Sequence, residues 1–239
     1  MSTGLPHENY SSSEMSASTG HASTDIVDFI SSRWKVLAGV VGAIALVAAG
    51  YFYYDSQQQE LNMEGLTHLS RVRNVFDMGA YDAALTGKGI PPVGTEAVKG
   101  LVAISDEYEG TPAGEQAALM AGNAYVNLGK PNEALGQFER AASSDSKLMQ
   151  AGAKQGLAAV SELQKKVAEA AALYEEAATL AQSSGLEDVM LYRAAVCYEE
   201  AKNSEKAVEL YRLVVKKYEM SEVAASAKSG LARLGTAID

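Results

Sequence analysis

Apolar residues are most concentrated between positions 36 and 54, where the sequence VLAGVVGAIALVAAGYFYY contains no charge, amide or proline. A helix of this length, rising about 1.5 Å per residue, reaches roughly 28 Å and matches the hydrocarbon layer of a bilayer. Trp34 stands before the run and four aromatic residues, YFYY, close it, as is typical of the two membrane interfaces. The pattern predicts a transmembrane helix over residues 36–54.

The charges on either side of this run indicate its orientation. Arg33 and Lys35 directly precede it, whereas three acids follow it before the next base, Arg71. The positive-inside rule therefore predicts a cytoplasmic N-terminus and a C-terminal domain on the other side of the membrane. Ahead of the run, Ser- and Thr-rich residues 1–24 predict a disordered cytoplasmic tail, and residues 25–35 predict an amphipathic lead-in helix.

A cleaved signal peptide is the alternative interpretation of the apolar run, since Ala48 and Gly50 resemble a small-residue cleavage site. Against it, the first base comes only after 32 residues, and bulky tyrosines follow the run. An uncleaved span also presents small residues four positions apart, which let a second transmembrane helix approach closely. The residues predicted for such a contact are Gly39, Gly42, Ala43, Ala45 and Ala49.

After the span, a pattern of small and aromatic residues recurs at a nearly constant interval. Three alanines stand 36 and 37 residues apart, and each precedes an aromatic residue by four positions: Ala134 with Phe138, Ala170 with Tyr174, and Ala207 with Tyr211. This spacing predicts pairs of antiparallel helices, in which the alanine lies at a close helix crossing and the aromatic fills the gap to the next helix. A glycine, Gly129, is placed to close the first helix of its pair.

A fourth, partial repeat lies nearer the membrane. A long helix is predicted over residues 55–77, and MGAYDAAL at residues 78–85 has the sequence of a repeat turn. Pro91 and Pro92 then interrupt helical structure, and a new helix is expected over residues 95–108.

Two later junctions resemble each other, with Thr111 and Ser221 placed to cap the helices that follow them. These boundaries divide the chain after the span into membrane-proximal helices with the partial repeat, residues 55–110, and a repeat domain with a C-terminal capping helix, residues 111–239.

The pattern over residues 115–218 resembles that of tetratricopeptide-repeat proteins. The arrangement of residues 25–239, one span followed by an acidic, alanine-rich repeat domain, resembles the YfgM-like family of single-span proteins. That resemblance implies an all-α fold with one transmembrane helix followed by an α-solenoid. It also implies a place in the bacterial inner membrane with the repeat domain in the periplasm, and partners among translocon subunits of the Sec machinery or periplasmic chaperones.

Composition and motifs argue against several other classes of function. The formal net charge of −10 disfavours nucleic acid as a partner, because phosphate binding needs a basic face. We find no catalytic constellation, cofactor motif or metal-ligand cluster in the sequence, and we predict that the protein is not an enzyme. His68 is expected to be a surface helix residue and Cys197 a small core residue.

What remains is a binding surface on the first helices of the repeats, which line the inner side of such an array. The residues predicted to face a partner there are Asn123, Asn127, Tyr192, Val196, Glu199 and Glu200. The absence of a Lys/Arg cluster predicts an acidic, partly apolar groove for a basic or apolar segment. The sequence therefore favours a membrane-anchored interaction scaffold, with a structural or assembly subunit of another inner-membrane complex as the alternative.

Overall fold

The computed structural model describes the backbone of residues 19–182 and 184–237, with side chains from residue 33 onward except Leu37. It divides into two compact units, one ending at Gln57 and the other beginning at Gln58. Most of the predicted tail lies outside the described residues, and α1 (Thr19–Asp77) begins within its last part. The amphipathic face predicted for residues 25–35 rests on side chains at positions 26, 29 and 30, which also lie outside the described set.

The first unit contains the apolar run as a continuous helical segment of α1. Its most apolar stretch has no part buried against other residues of the chain. Large side chains along it are more than half exposed, among them Val40, Leu46, Val47 and Phe52. In the described part of the chain this is the one helix long and apolar enough to cross a membrane. A helix that is apolar all round requires apolar surroundings, which a bilayer supplies.

The second unit contains the end of α1 and nine shorter helices among the described residues. These are α2 (Tyr81–Thr86), α3 (Leu101–Glu107), α4 (Pro112–Asn127), α5 (Pro131–Ala142), α6 (Lys147–Leu163), α7 (Val167–Leu180), α8 (Glu187–Glu200), α9 (Ser204–Lys217) and α10 (Ala224–Arg233). The described residues form no strand beyond an isolated bridge between Val93 and Glu96. The predicted all-α fold, a long apolar helix followed by an α-solenoid of helix pairs, is confirmed.

The helices pair as the repeat spacing predicts: α4 with α5, α6 with α7 and α8 with α9, and each pair packs on the next. All three repeat alanines and all three repeat aromatics are buried. Helices approach closely around Phe138, where a Cβ added to Gly122 or Gly156 would lie 2.6 or 2.2 Å from the ring. Small residues at these crossings therefore set the spacing of the array.

The turn within each pair has the same hydrogen bonding in all three repeats. In the first repeat, the Lys130 N–H donates to the Tyr125 carbonyl at 2.8 Å and the Gly129 N–H donates to the Val126 carbonyl at 3.0 Å. This arrangement is the Schellman motif, in which the first residue after the helix C-cap adopts the left-handed conformation. The left-handed residues of the three turns are Gly129 (φ 65°), Lys165 (φ 63°) and Lys202 (φ 64°).

One membrane-proximal helix differs from the prediction, because α3 begins at Leu101 rather than near Thr95. Residues 93–96 form a turn closed by two backbone hydrogen bonds. Beyond it, Gly100 crosses the end of α2 so closely that a Cβ would lie 2.3 Å from the Leu85 carbonyl oxygen. The chain stays non-helical until this crossing is complete.

The two predicted caps have different outcomes. Thr111 caps α4 as predicted, since its hydroxyl accepts the Gly114 N–H at 3.2 Å. At the second junction, α10 begins at Ala224 rather than directly after Ser221. The Ser221 hydroxyl donates to the Asp188 carboxylate of α8, which holds the junction residues against that helix before α10 begins.

Candidate protein-docking groove

The first helices of the repeats, α4, α6 and α8, line a groove on one surface of the array. Its larger part has a volume of about 640 Å³ and runs between α4 and α6 as far as α8. The lining residues are Leu119, Asn123, Val126, Gly152, Gln155, Gly156, Ala159, Glu162, Leu163, Lys165, Tyr174 and Arg193.

A second depression of about 290 Å³ continues along α8. It is lined by Glu162, Val189, Tyr192, Arg193, Val196 and Val223. Glu162 and Arg193 belong to both depressions, so the two form one continuous feature, which we call the inner-helix groove.

Small residues form part of the groove floor, and the packing beneath explains why. Phe138 lies directly under Gly156, and a side chain there would overlap the ring. Gly152 faces Leu119, and an added Cβ would lie 3.2 Å from that side chain. The core packing of the first repeat thus leaves a shallow surface on which a partner's chain can lie close to the helices.

The charges of the inner-helix groove differ from the expected acidic character. Glu162 is the only carboxylate among its lining residues, and it accepts a hydrogen bond from the Tyr174 hydroxyl at 2.8 Å. Burial raises the pKa of Tyr174, so this hydroxyl stays protonated and remains a donor. Lys165 and Arg193 line the groove without an ion pair among the described residues. The groove therefore offers two cations and a carboxylate that is already engaged.

Three of the six residues predicted to face a partner line this groove: Asn123, Tyr192 and Val196. Asn127 lies outside it, and its side-chain amide donates to the Asn123 carbonyl at 2.8 Å. Glu200 is exposed but lines neither depression. That any of these residues contacts a partner remains a prediction.

Glu199, the last of the six, is used inside the fold. Its carboxylate accepts the Tyr211 hydroxyl at 2.7 Å and the Arg233 guanidinium at 2.9 and 3.0 Å. The hydrogen bond from Arg233 lowers the pKa of Glu199 most, burial opposes it, and the hydrogen bond from Tyr211 lowers it further. The Glu199–Tyr211 contact repeats that of Glu162 with Tyr174 one unit earlier, so these glutamates tie the two helices of a pair together.

Sequence reasoning missed the part of the groove that α6 contributes. The repeat interval itself carries the missing signal, because a step of 36 or 37 residues leads from Leu119 to Gln155 and on to Tyr192. The same steps lead from Asn123 to Ala159 and on to Val196. Both series line the groove, whereas projection of α4 and α8 alone omitted the middle repeat.

Two isolated candidates for chemistry are buried. Cys197 is 1% exposed, and burial followed by the nearby Glu162 raises the pKa of its thiol to about 12, so it stays an unreactive thiol. His68 is 4% exposed and stacks on Tyr108, with ring centroids 5.9 Å apart, which corrects its prediction as a surface residue. In the described residues no group of three or more His, Cys, Asp or Glu side chains is arranged to hold a metal ion.

Comparison with protein families matches two tetratricopeptide-repeat models to the array, one over residues 119–185 and one over residues 189–219. This chain carries tetratricopeptide repeats. The matched segments contain all of α5, α6, α7 and α9, most of α8 and the second half of α4, so they include the helices that line the inner-helix groove. No curated protein and no solved structure gives a significant match, so the finer resemblance to the YfgM-like family is not confirmed.

Proposed function

We propose that this protein is a membrane-anchored scaffold whose tetratricopeptide array docks an extended segment of a partner protein in the inner-helix groove. The observation that carries the proposal is the groove itself, which is continuous over three repeats and has a small-residue floor. Tetratricopeptide arrays in general support protein–protein interaction, and the groove supplies a surface of the right shape for it.

The lining residues favour a segment that combines apolar side chains with a carboxylate. Leu119, Val126 and Val196 offer apolar contacts, while Asn123 and Gln155 offer amide groups that can pair with a peptide backbone. Lys165 and Arg193 supply positive charge, and an arginine binds a carboxylate with two parallel hydrogen bonds.

The anchoring and location are the second half of the proposal. The exposed apolar helix supports anchorage, and the bases before it support a cytoplasmic N-terminus with the repeats in the periplasm of a bacterial inner membrane. The resemblance to the YfgM-like family supports a role beside the Sec translocon or periplasmic chaperones. A structural subunit of another inner-membrane complex is the competing role.

Site-specific photo-crosslinking in intact cells tests the docking surface. A photoreactive residue at Asn123 or Gln155 should crosslink a partner, because both line the groove. The same residue at Asn132, which is exposed on α5 and lines none of the groove, is the matched control. Combining Lys165→Glu with Arg193→Glu should remove the groove crosslink.

Crosslinks from Asn132 to the same partner with equal yield would contradict docking in the groove, as would crosslinks that survive both charge reversals. Mass spectrometry of the product separates the two roles. Translocon subunits or chaperones support the secretion role, whereas one unrelated complex in fixed stoichiometry supports the structural role.

A further inference from the structure

The outer face of α9 carries charged and apolar residues in a fixed order. The residues that form it, called here the α9 outer stripe, are Glu205, Val208, Glu209, Arg212, Leu213 and Lys216. The four charged residues are spaced four, three and four positions apart, so they lie along one line of the helix surface. Val208 and Leu213 flank that line on opposite sides. Together with Leu234 and Thr236, the stripe borders an open cleft of about 810 Å³.

In the described residues no helix follows α10, and Leu234 and Thr236 border the cleft on that side. On α5, two repeats earlier, an outer helix lies beside the corresponding positions. Leu135 and Glu139 share a cleft with Glu169 and Leu173 of α7, the next outer helix, and with Lys166 directly before it. On α9, no further outer helix lies beside the corresponding Val208 and Arg212 among the described residues.

The order of charges makes the stripe complementary to itself. Acids occupy its N-terminal half and bases its C-terminal half. If two α9 helices lie antiparallel about a two-fold axis passing between residues 210 and 211, Glu205 faces Lys216 of the other copy and Glu209 faces Arg212. The same operation keeps each apolar residue on its own side of the charged line, so Val208 lies on the same side as the other copy's Val208, and Leu213 on the same side as the other copy's Leu213. Each charged pair occurs twice, as in any isologous interface.

We infer that the α9 outer stripe binds a second copy of this chain through antiparallel α9–α9 packing. Charge complementarity selects this occupant, because one rotation pairs all four charges with opposite partners and places each apolar residue on the same side of the charged line as its own copy. A partner of a different sequence has no reason to fit this order. In the described residues Arg212 and Lys216 have no ion pair, and Glu209 contacts Lys206 through a single carboxylate oxygen at 3.3 Å.

The other outer helices lack this order, so it does not follow from the repeat. The positions corresponding to the stripe on α7 include three alanines followed by two glutamates: Ala168, Ala171, Ala172, Glu175 and Glu176. Those on α5 and its C-cap are Asn132, Leu135, Gly136, Glu139, Arg140 and Ser143. An antiparallel pair of α7 helices would place acids opposite apolar alanines, and only α9 matches itself at every position.

Cysteine crosslinking of the full chain in its membrane tests the geometry. Copies carrying Glu205→Cys and copies carrying Lys216→Cys, two exposed positions that face each other in the proposed pair, are expressed together with different tags and oxidised. The expected product is a disulfide-linked pair carrying both tags. Leu135→Cys with Glu139→Cys, two exposed positions on α5, is the matched control and should give no mixed product. The native Cys197 is buried and contributes no background.

Charge reversal tests the pairing itself in the same crosslinking background. Arg212→Glu in both copies, or Glu209→Arg in both copies, places like charges together at two symmetric sites and should lower the crosslinked fraction about tenfold. Arg212→Glu in one copy and Glu209→Arg in the other restores opposite charges at both sites. This mixed pair should crosslink as well as the unmodified chain.

The mixed pair also separates loss of the interface from loss of folding, because a misfolded variant is not rescued by a second variant. Three results would overturn the proposal: no crosslink between positions 205 and 216 in the unmodified background, equal crosslinking in the like-charged pairs, or no recovery in the mixed pair. Crosslinking of position 205 or 216 to a different protein instead of the second copy would assign the stripe to that protein and likewise overturn it.

Discussion

The left-handed residues of the repeat turns show how a position can keep its geometry while its residue type changes. Gly129 adopts the left-handed conformation without steric cost, since it has no Cβ. Lys165 and Lys202 hold nearly the same φ with a full side chain. The Schellman hydrogen bonds are the same in each turn, for example from the Asn203 N–H to the Tyr198 carbonyl at 2.9 Å. Packing of the repeat therefore imposes the turn, and two lysines bear its strain.

Replacing Lys202 with glycine should stabilise the protein. The gain is expected to be about 0.5–1 kcal/mol, because the strain of a left-handed non-glycine residue exceeds the extra entropy glycine brings to the unfolded chain. The reverse change, Gly129→Lys, is the matched control and should cost a similar free energy. Chemical unfolding of the full chain in detergent, followed by its helical signal, measures both. Destabilisation by Lys202→Gly would show that the lysine side chain makes a stabilising contact.

Glu199 makes the stability of the repeat domain depend on pH. Its pKa is lowered by Arg233 first and by Tyr211 as well, so the unfolded chain binds its proton more readily than the folded chain. The stabilisation is present above the unfolded glutamate pKa of about 4.3 and is lost as pH falls through the lower folded value. Glu199→Gln should cost about 1 kcal/mol at neutral pH. That difference should shrink as the pH falls below about 4.

The neighbouring Glu200 supplies the control for this pH dependence. It is exposed, and its side chain makes no hydrogen bond or ion pair with any other described residue. Glu200→Gln should therefore leave the unfolding free energy unchanged across the same pH range. If Glu199→Gln lowered the unfolding free energy by the same amount at every pH, the side chain would stabilise the fold through its packing and not through its charge.

At the scale of the helices, the spacing of the array depends on where glycines meet Phe138. Gly156→Ala places a methyl group inside the ring's contact distance and should cost about 1–3 kcal/mol. Gly136→Ala on α5 is the matched control, because nothing lies within 4 Å of its added Cβ. It should stabilise by about 1 kcal/mol through helix propensity alone. Thermal and chemical unfolding distinguish the opposite signs.

A second substitution makes the steric cause of the Gly156→Ala effect testable. Phe138→Leu shortens the side chain beneath position 156 at a cost of its own. Because the two changes act on one contact, the double variant should lose less stability than the two single variants together. Strict additivity would contradict the steric explanation.

The helices predicted well from the sequence are those that repeat. The pair Ala134 and Phe138 revealed the first repeat because an alanine and an aromatic residue recur at the same interval in the next two repeats. All six of these residues are buried in the structure. Contacts outside the repeat left no such trace. His68 was expected on the surface because nothing near it in sequence shows that Tyr108 lies against it. The start of α3 was placed too early because the crossing of Gly100 over α2 is a tertiary contact without a local signal.

The groove was predicted only in part for a related reason. Asn123 and Val196 were found because their helices have strong repeat signatures, whereas the lining residues of α6 required the interval to be carried through the middle unit. The charge of the groove depends on which carboxylates are engaged inside the fold. Glu199 has the same residue type as a free surface acid, and only the positions of Tyr211 and Arg233 show that it is not one.

At the scale of the whole molecule, the apolar run and the repeat domain demand different surroundings. The run exposes its large side chains along its length, whereas the repeat domain buries its three repeat aromatics and presents charged outer faces. We expect the run to span the bilayer as an uncleaved helix. Two arginines at its centre, Leu46→Arg with Val47→Arg, would each cost about 2.5–3.5 kcal/mol on insertion. This variant should therefore be lost from the fraction of the chain that resists alkaline extraction from membranes.

Ser56→Arg with Gln57→Arg is the matched control, because both positions follow the run and are exposed. It should leave membrane retention unchanged. Tags at both ends of the chain complete the experiment: an uncleaved span keeps both tags on one membrane-bound product, whereas a cleaved signal peptide removes the N-terminal tag. Protease added from the cytoplasmic side of inverted vesicles should remove the N-terminal tag and spare the repeat domain. Digestion of the repeat domain from that side would reverse the proposed orientation while leaving the span itself intact.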